Sequence, residues 1–328
     1  MKMRQIKSII IASIICLPAS LFGQDYHFSN FDALVTGYQP ALTGMAKEHH
    51  YRAASQYRSQ WRPLSTKPFA TFAFSYDMPL NERWGIGGYF ANFDGAKIYN
   101  SMDVVVSAAY RISDPSQSEH ILTVGLQAGM IYNNINDRDL LFENQYDNGR
   151  FNSALPTGET FESFNHIMPE FNMGIYYKWA NSSNFYHPYL GLSVFHLSSP
   201  KEALLSTSEE THLERRYMAN PGVLFTVNRQ FTIDLKGMYQ FQGKANELLV
   251  GAVGAYQIQG TPTKVNLGAS YRLDDAVSVL AGIAYQDILF GINYDITVST
   301  LNNFNGGRGA FELTVVYRPM RMSGRDKY

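Results

Sequence analysis

Three histidines in the second half of the chain are the residues whose types could support metal binding or hydrolysis. His187, His196 and His212 occur near the acidic pair Glu209-Glu210 and the serine pair Ser198-Ser199. Either chemistry needs fixed spacings, such as His-Glu-x-x-His or Gly-x-Ser-x-Gly, and neither motif is present. The pattern therefore favours polar loop residues. We predict no catalytic residue, no metal site and no enzyme activity.

An acidic group and the glycines are the other candidates for ligand binding. Asp137, Asp139, Glu143 and Asp147 could collect a cation, but their irregular spacing differs from that of a calcium loop. The glycines match no phosphate-binding loop, and several fall within predicted strands, where they would relieve crowding: Gly85, Gly87, Gly88, Gly125 and Gly129. We therefore predict no cofactor. The absence of a basic block argues against nucleic acid as a partner.

The elements that would position these side chains are strands. From Val265 to Ser299 the sequence alternates between apolar residues and small or polar ones, with almost no residues between successive runs. Similar runs along the chain predict fourteen strands, at 51–60, 68–78, 83–92, 101–113, 119–133, 168–179, 184–196, 213–227, 230–241, 246–259, 263–273, 276–286, 288–299 and 309–318.

The apolar faces of these strands are expected to contact lipid. Charged residues make up only 17% of the chain, below the roughly 25% of a typical soluble protein. If the chain starts in the periplasm, all the long connections, including 134–167, 197–212 and 300–308, lie on the extracellular side. Aromatic residues near strand ends would form an interfacial girdle, namely Trp84, Trp179, Tyr271, Tyr285, Tyr294 and Tyr317. The sequence therefore predicts an all-β, transmembrane outer-membrane β-barrel of about 14 antiparallel strands.

The N-terminus has the features of a secretory signal. Lys2, Arg4 and Lys7 precede an apolar run from Ile9 to Leu17, and small residues up to Gly23 predict cleavage there. The only cysteine, Cys16, lies inside this signal. We predict export to the outer membrane and the following organisation: signal peptide 1–23, N-terminal plug or docking segment 24–50, barrel 51–318 and a short periplasmic tail 319–328.

Several motifs occur in an order that resembles one known family. They are HFSNF and GYQPALTGM in the N-terminal segment, then YRSQW, FAFSYD, GIGGYFANFDGAK, NYDITVS and the final FELTVVYRP. Together they resemble the PorP/SprF family, outer-membrane proteins of the type IX secretion and gliding apparatus of Bacteroidota. The motif residues that become candidates for partner docking are His27, Phe28, Phe31, Pro40, Ala41, Gly44, Tyr57, Trp61, Tyr76, Asp77 and Asp295.

The resemblance implies partners that composition and spacing do not reveal. It implies periplasmic peptidoglycan-associated and lipoprotein components of the secretion machinery, and a large secreted adhesin as cargo. Where the family usually has Asn-Pro-Ala, this chain has Gln39-Pro40-Ala41, so a role that depends on the asparagine side chain is in question. A FadL-like channel for hydrophobic small molecules is the alternative, because that architecture also combines a barrel with an N-terminal hatch.

The predicted lumen carries few groups for binding a solute. The inward faces contain mainly Gly, Ser, Ala and Thr, which predicts a lumen without a set of charged groups. The segment from His27 to Gly44 is too apolar for a free tail. We therefore expect it either to close the barrel from the periplasmic side or to present the barrel to a periplasmic partner.

Overall fold

The computed structural model describes residues 25–61, 67–116, 119–136, 143–147, 150–152, 155–156, 165–181, 183–202 and 211–321. Fourteen antiparallel strands form one closed barrel, in which each strand pairs with its sequence neighbour and the first pairs with the last. The strands are β1 (Arg52–Gln60), β2 (Phe69–Pro79), β3 (Trp84–Gly95), β4 (Tyr99–Arg111), β5 (His120–Ile135), β6 (Asn165–Trp179), β7 (Tyr186–Phe195), β8 (Arg216–Thr226), β9 (Phe231–Gln242), β10 (Ala245–Gln257), β11 (Thr263–Arg272), β12 (Ala276–Tyr285), β13 (Ile288–Thr297) and β14 (Arg308–Tyr317). The predicted fold and strand number are confirmed.

The alternation of residue types matches the two faces of the barrel wall. On β2, Phe72 and Phe74 are exposed on the outside, whereas Thr71 and Ser75 are buried on the luminal side. On β13, Ile292 is 52% exposed. Because apolar side chains point away from the lumen on strand after strand, they form the continuous surface that a bilayer requires.

The two ends of the barrel are distinguished by their connections. We call the end where β1 begins and β14 finishes the inner end, and the opposite end the outer end. The inner connections are short, whereas the longest connections, 136–164 and 196–215, both lie at the outer end. Trp84, Trp179, Tyr285 and Tyr317 are terminal residues of their strands at the inner end, where an interfacial girdle is expected.

The N-terminal segment lies inside the barrel. We call Asp25–His50 the plug. It contains three short helical turns, Phe31–Ala33, Val35–Tyr38 and Pro40–Leu42, and it runs from the outer end to the inner end before β1 begins. Phe28 and Leu34 pack against luminal residues of β1 to β4, and Phe31 packs against β7 to β10. In the part of the chain that the structure describes, no helix is long and apolar enough to cross a membrane.

Candidate functional site

The plug is attached to the outer end of the barrel through Asp25. Its Oδ2 atom lies 2.7 Å from Nε2 of His196 and 3.2 Å from Nη1 of Arg216, and Gln242 donates a hydrogen bond to Oδ1 over 3.1 Å. The other ring nitrogen of His196 lies 2.8 Å from Oε2 of Glu170. Three strand ends therefore converge on one plug residue.

Electrostatics fix the protonation states of this outer attachment. Burial alone would lower the pKa of His196, but the attraction of Asp25 and hydrogen bonds to Asp25 and Glu170 raise this pKa to about 10. Burial would likewise raise the pKa of Asp25, yet the charges of His196 and Arg216 hold it well below its ordinary value. At neutral pH His196 is therefore an imidazolium paired with the carboxylate of Asp25.

This arrangement corrects the interpretation of His196 as a polar loop residue. His196 directly follows β7, is only 3% exposed and takes part in ion pairs. Its partners lie 26 and 171 positions away in sequence, so no local spacing indicates them. His212 does lie in an exposed connection, and His187 is half-buried on β7. Of the other loop candidates, Glu209, Glu210, Asp137 and Asp139 lie outside the described residues.

Glu312 of β14 holds the next part of the plug. This carboxylate is fully buried and accepts hydrogen bonds from the backbone N–H groups of Ser29 and Asn30, over 2.7 and 3.1 Å. Gln56 of β1 donates a further bond over 3.1 Å, and Arg58 of the same strand forms a short ion pair with it. Strands β1 and β14, which close the barrel, are thus joined to each other and to the plug at one carboxylate.

Asp295 extends this network across β13. Its Oδ2 atom lies 3.0 Å from Nη2 of Arg58 and 3.0 Å from Nη2 of Arg272, and it accepts a 2.7 Å hydrogen bond from the hydroxyl of Ser29. The two arginines balance the carboxylates of Asp295 and Glu312. Because an unpaired charge at such a buried position is strongly destabilising, each of these groups depends on the others.

The prediction that the lumen is lined mainly by Gly, Ser, Ala and Thr is therefore wrong for the part of the lumen that contacts the plug. No strand contributes more than two charged residues, and these stand among many small ones, as Arg58 does on β1 and Glu312 does on β14. When each strand is considered alone, its luminal face therefore carries little charge. Closing the barrel brings these isolated charges together.

The middle of the plug contacts a wall of glycines. A Cβ atom on Gly125 would lie 2.3 Å from the carbonyl carbon of Pro40, and one on Gly174 would lie 2.1 Å from Oε1 of Gln39. The backbones can approach this closely only because these wall positions lack side chains. The prediction that strand glycines relieve crowding is confirmed at Gly125.

The side chain of Gln39 makes the hydrogen bonds that hold the turn containing Pro40 and Ala41. Its side-chain oxygen accepts a hydrogen bond from the backbone N–H of Ala41, and its amide nitrogen donates to the carbonyl of Ile175 on β6. Gln39 is fully buried. The glutamine therefore both stabilises the turn and fastens it to the barrel wall.

The inner end of the plug is held by Asp77. Arg52 donates two hydrogen bonds of 2.9 Å to this carboxylate, and the backbone N–H of Gly44 donates a third of 2.7 Å. Gly44 has a left-handed backbone (φ 62°), and a Cβ atom there would lie 2.4 Å from the carbonyl oxygen of Met78. Only glycine fits both conditions.

The motif residues divide between two environments. The luminal group contains His27, Phe28, Phe31, Pro40, Ala41, Gly44, Asp77 and Asp295. Tyr57 and Tyr76 lie on outward-facing positions of β1 and β2, and Trp61 lies at the outer end, where its ring contacts that of Phe69 at 5.0 Å. The structure thus brings eight of the eleven residues together around the plug.

His27 is a neutral member of this luminal group. Its Nδ1 atom lies 3.2 Å from Oε2 of Glu247. Burial and the charges of Arg272 and Arg58 hold the pKa of His27 well below its ordinary value. The contact with Glu247 is therefore one between a neutral imidazole and a carboxyl group.

Sequence reasoning missed the residues that form most of the attachment. They are Ser29, Arg58, Glu170, Arg216, Arg272 and Glu312, whereas His196 was named only as a polar loop residue. A usable signal was the position of Arg58 and Glu312 on faces opposite to the apolar positions of β1 and β14. A charge on the inward face of a barrel strand indicates either a wet lumen or a partner inside it.

The fold and the luminal plug define a class of protein, the outer-membrane β-barrels. The model for the family described as "Type IX secretion system membrane protein PorP/SprF" matches residues 20–317, and the chain belongs to this family. Membership together with the closed barrel implies an outer-membrane protein. The family is one of secretion membrane proteins rather than a known family of enzymes.

Solved structures of similar fold include hydrocarbon channels. The CymD monoaromatic hydrocarbon channel is 9% identical, with 92% of this chain and 95% of that chain covered and a TM-score of 0.52. The Ralstonia pickettii toluene transporter TbuX is 10% identical, with 92% and 96% covered and a TM-score of 0.52. At this identity the likeness concerns the fold alone. No curated protein sequence matches the chain.

Proposed function

We propose that this protein is a non-enzymatic outer-membrane component of the type IX secretion and gliding machinery. In this proposal it docks periplasmic peptidoglycan-associated and lipoprotein components and supports the secretion or surface attachment of an adhesin. Family membership carries the proposal. A plug attached at the outer end, the middle and the inner end also suits a structural or docking role better than an open pore.

The inner rim offers a surface for such docking. Lys47 of the plug donates to the carbonyls of Asn81 and Trp84, over 2.9 and 3.2 Å. The backbone N–H of Arg321 donates to the carbonyl of Glu48, and that of His50 donates to the carbonyl of Pro319. The end of the plug, the β2–β3 turn and the start of the C-terminal tail therefore form one continuous surface at the inner end.

A FadL-like channel for hydrophobic molecules is the second candidate. Its support is the shared fold with monoaromatic hydrocarbon channels. Against it stands the buried ionic network around Glu312 and Asp295, because passage of an apolar solute beside it would require the plug to leave these charges unpaired.

Two plug variants distinguish the candidates. In the first, residues 27–44 are deleted and the signal segment is kept. We expect a membrane-inserted, heat-modifiable barrel that no longer co-purifies with periplasmic partners and no longer supports surface display of an adhesin. Retention of both, with increased permeability to small dyes, would instead favour the channel.

In the second variant the plug is locked by a disulfide. The hydroxyl oxygens of Thr43 and Ser107 lie 2.6 Å apart, and apart from Cys16 in the predicted signal the chain contains no cysteine. Thr43→Cys combined with Ser107→Cys can therefore be compared in its oxidised and reduced forms. We expect adhesin display to be equal in both, whereas a channel opened by plug movement would take up labelled toluene only in the reduced form.

A further inference from the structure

A second polar site lies on the inner side of the plug. A cavity of about 200 Å³ is bounded by the plug at Asp32 and Tyr38 and by the luminal faces of β6 to β9. Lys178 and Tyr189, which line it, lie near the inner ends of β6 and β7. The cavity is separate from the ionic network around Glu312 and takes no part in fastening β1 to β14.

The cavity contains a buried side-chain amide, that of Asn220. Asn220 is only 3% exposed, and neither its side-chain nitrogen nor its side-chain oxygen has a hydrogen-bond partner among the described residues. Leaving such groups unpaired costs about 1–3 kcal/mol each. A ligand that both donates and accepts hydrogen bonds would remove that cost.

Aromatic rings form part of the cavity wall and are held in place. The rings of Tyr176 and Tyr189 stack with centroids 6.0 Å apart and planes inclined by 30°. A Cβ atom on Gly222 would lie 2.2 Å from the Tyr189 ring, so the absence of a side chain there lets the ring pack on the wall. The hydroxyl of Tyr189 donates a 2.9 Å hydrogen bond to Asp234.

The charges around the cavity balance. Asp32 is paired with Lys236 at 2.6 Å, and Asp234 faces the same cavity as Lys178, which forms no ion pair with any residue that the structure describes. A charged ligand would therefore gain little electrostatic free energy on binding. A hydrocarbon would leave the polar groups of the wall unsatisfied, which is unfavourable.

From these features we infer that the inner cavity binds a neutral, hydroxyl-bearing ring of the size of one sugar unit. The apolar face of such a ring packs against tyrosine, and its hydroxyl groups both donate and accept, as the amide of Asn220 and the carboxylate of Asp234 require. This inference goes beyond the proposed function and does not depend on it.

The test uses the full barrel, purified in detergent, and isothermal titration with methyl glucoside and with a three-unit glucan. We expect saturable binding of methyl glucoside. Tighter binding of the glucan would identify a polymeric glycan as the source, and equal binding would identify a free sugar. If neither sugar binds, the inference is overturned, whether or not toluene or a neutral aromatic dipeptide amide binds.

Two variants localise the binding. Asn220→Leu removes an amide that has no hydrogen-bond partner among the described residues, so the barrel should assemble normally, while sugar affinity falls about tenfold, the equivalent of one or two lost hydrogen bonds. Tyr176→Leu should weaken binding as well. Asn133→Leu is the matched control, because Asn133 is equally buried but lies at the outer end. Sugar binding that Asn220→Leu leaves unchanged would place the ligand elsewhere and refute the assignment.

Discussion

Replacing Glu312 by glutamine is the sharpest perturbation of the plug. The carboxylate is fully buried and receives hydrogen bonds from two plug N–H groups, from Gln56 and from Arg58. Glutamine has nearly the same shape, but it removes the charge and places an NH₂ group where an acceptor stood. The plug therefore loses at least one backbone acceptor, and Arg58 loses one of its two carboxylates.

The size of the effect follows from these contacts. Breaking one partner of a buried ion pair costs about 3–5 kcal/mol, and because glutamine retains one acceptor oxygen we expect about 3 kcal/mol. The substitution should weaken the attachment of the plug by this amount and leave the outer surface of the barrel unchanged. At about 1.4 kcal/mol for each factor of ten, the plug should leave its site about 100-fold more often.

A buried thiol can report this opening. Thr36 lies in the plug, is fully buried and has a hydroxyl without a partner in the described chain, so Thr36→Cys should perturb the plug little. The rate of maleimide labelling then measures opening, and heat-modifiable migration verifies that the barrel remains assembled. Glu214→Gln, at an exposed carboxylate, is the control. Equal labelling rates in Glu312→Gln and Glu214→Gln would refute the assignment of the network as the main attachment.

Three further predictions test the lipid face, the outer attachment and the glycine wall. Ile292→Lys, on the lipid-facing side, should destabilise the assembled barrel by roughly 2–4 kcal/mol in a folding titration, whereas Gly291→Lys, on the luminal side, should assemble. The reverse result would mean that Gly291 faces the lipid and Ile292 faces the lumen. The pKa of His196 is raised from 6.5 to about 10, so its stabilising contribution is complete below pH 6.5 and is lost as the pH rises through about 10. The thermal midpoint should fall over that range, and His196→Gln should remove this fall; an unchanged pH profile would exclude the ion pair with Asp25. Gly125→Ala should destabilise the plug by about 1–3 kcal/mol and increase labelling of the Thr36→Cys reporter. Gly237→Ala should do neither, because the atom nearest to a Cβ at that position would be 3.4 Å away.

The approximate strand positions could be predicted because strand alternation is a local property. A residue in a strand faces the side opposite to its neighbours, so the apolar face of each strand can be read without knowing its partners. β5 illustrates the limit of such reading. The expected range 119–133 becomes His120–Ile135, because pairing with β4 continues for two residues beyond the alternating stretch.

The ionic attachment could not be predicted because its partners are distant in sequence. Asp25 and His196 are 171 residues apart, and Arg58 and Glu312 are 254 residues apart. Nothing near Arg58 indicates that a carboxylate will lie beside it. Gly125 is similar, since only the position of Pro40 inside the barrel explains why a side chain is excluded there.

The sequence by itself therefore determined the barrel, the outward apolar faces, the approximate strand positions and the existence of a separate N-terminal segment. These features follow from the two-residue period of a strand and from composition. Only the tertiary structure decided that the segment fills the lumen and that isolated charges combine into one buried network. The physical reason is that a Coulomb interaction depends on distance in space, and closure of the barrel sets those distances.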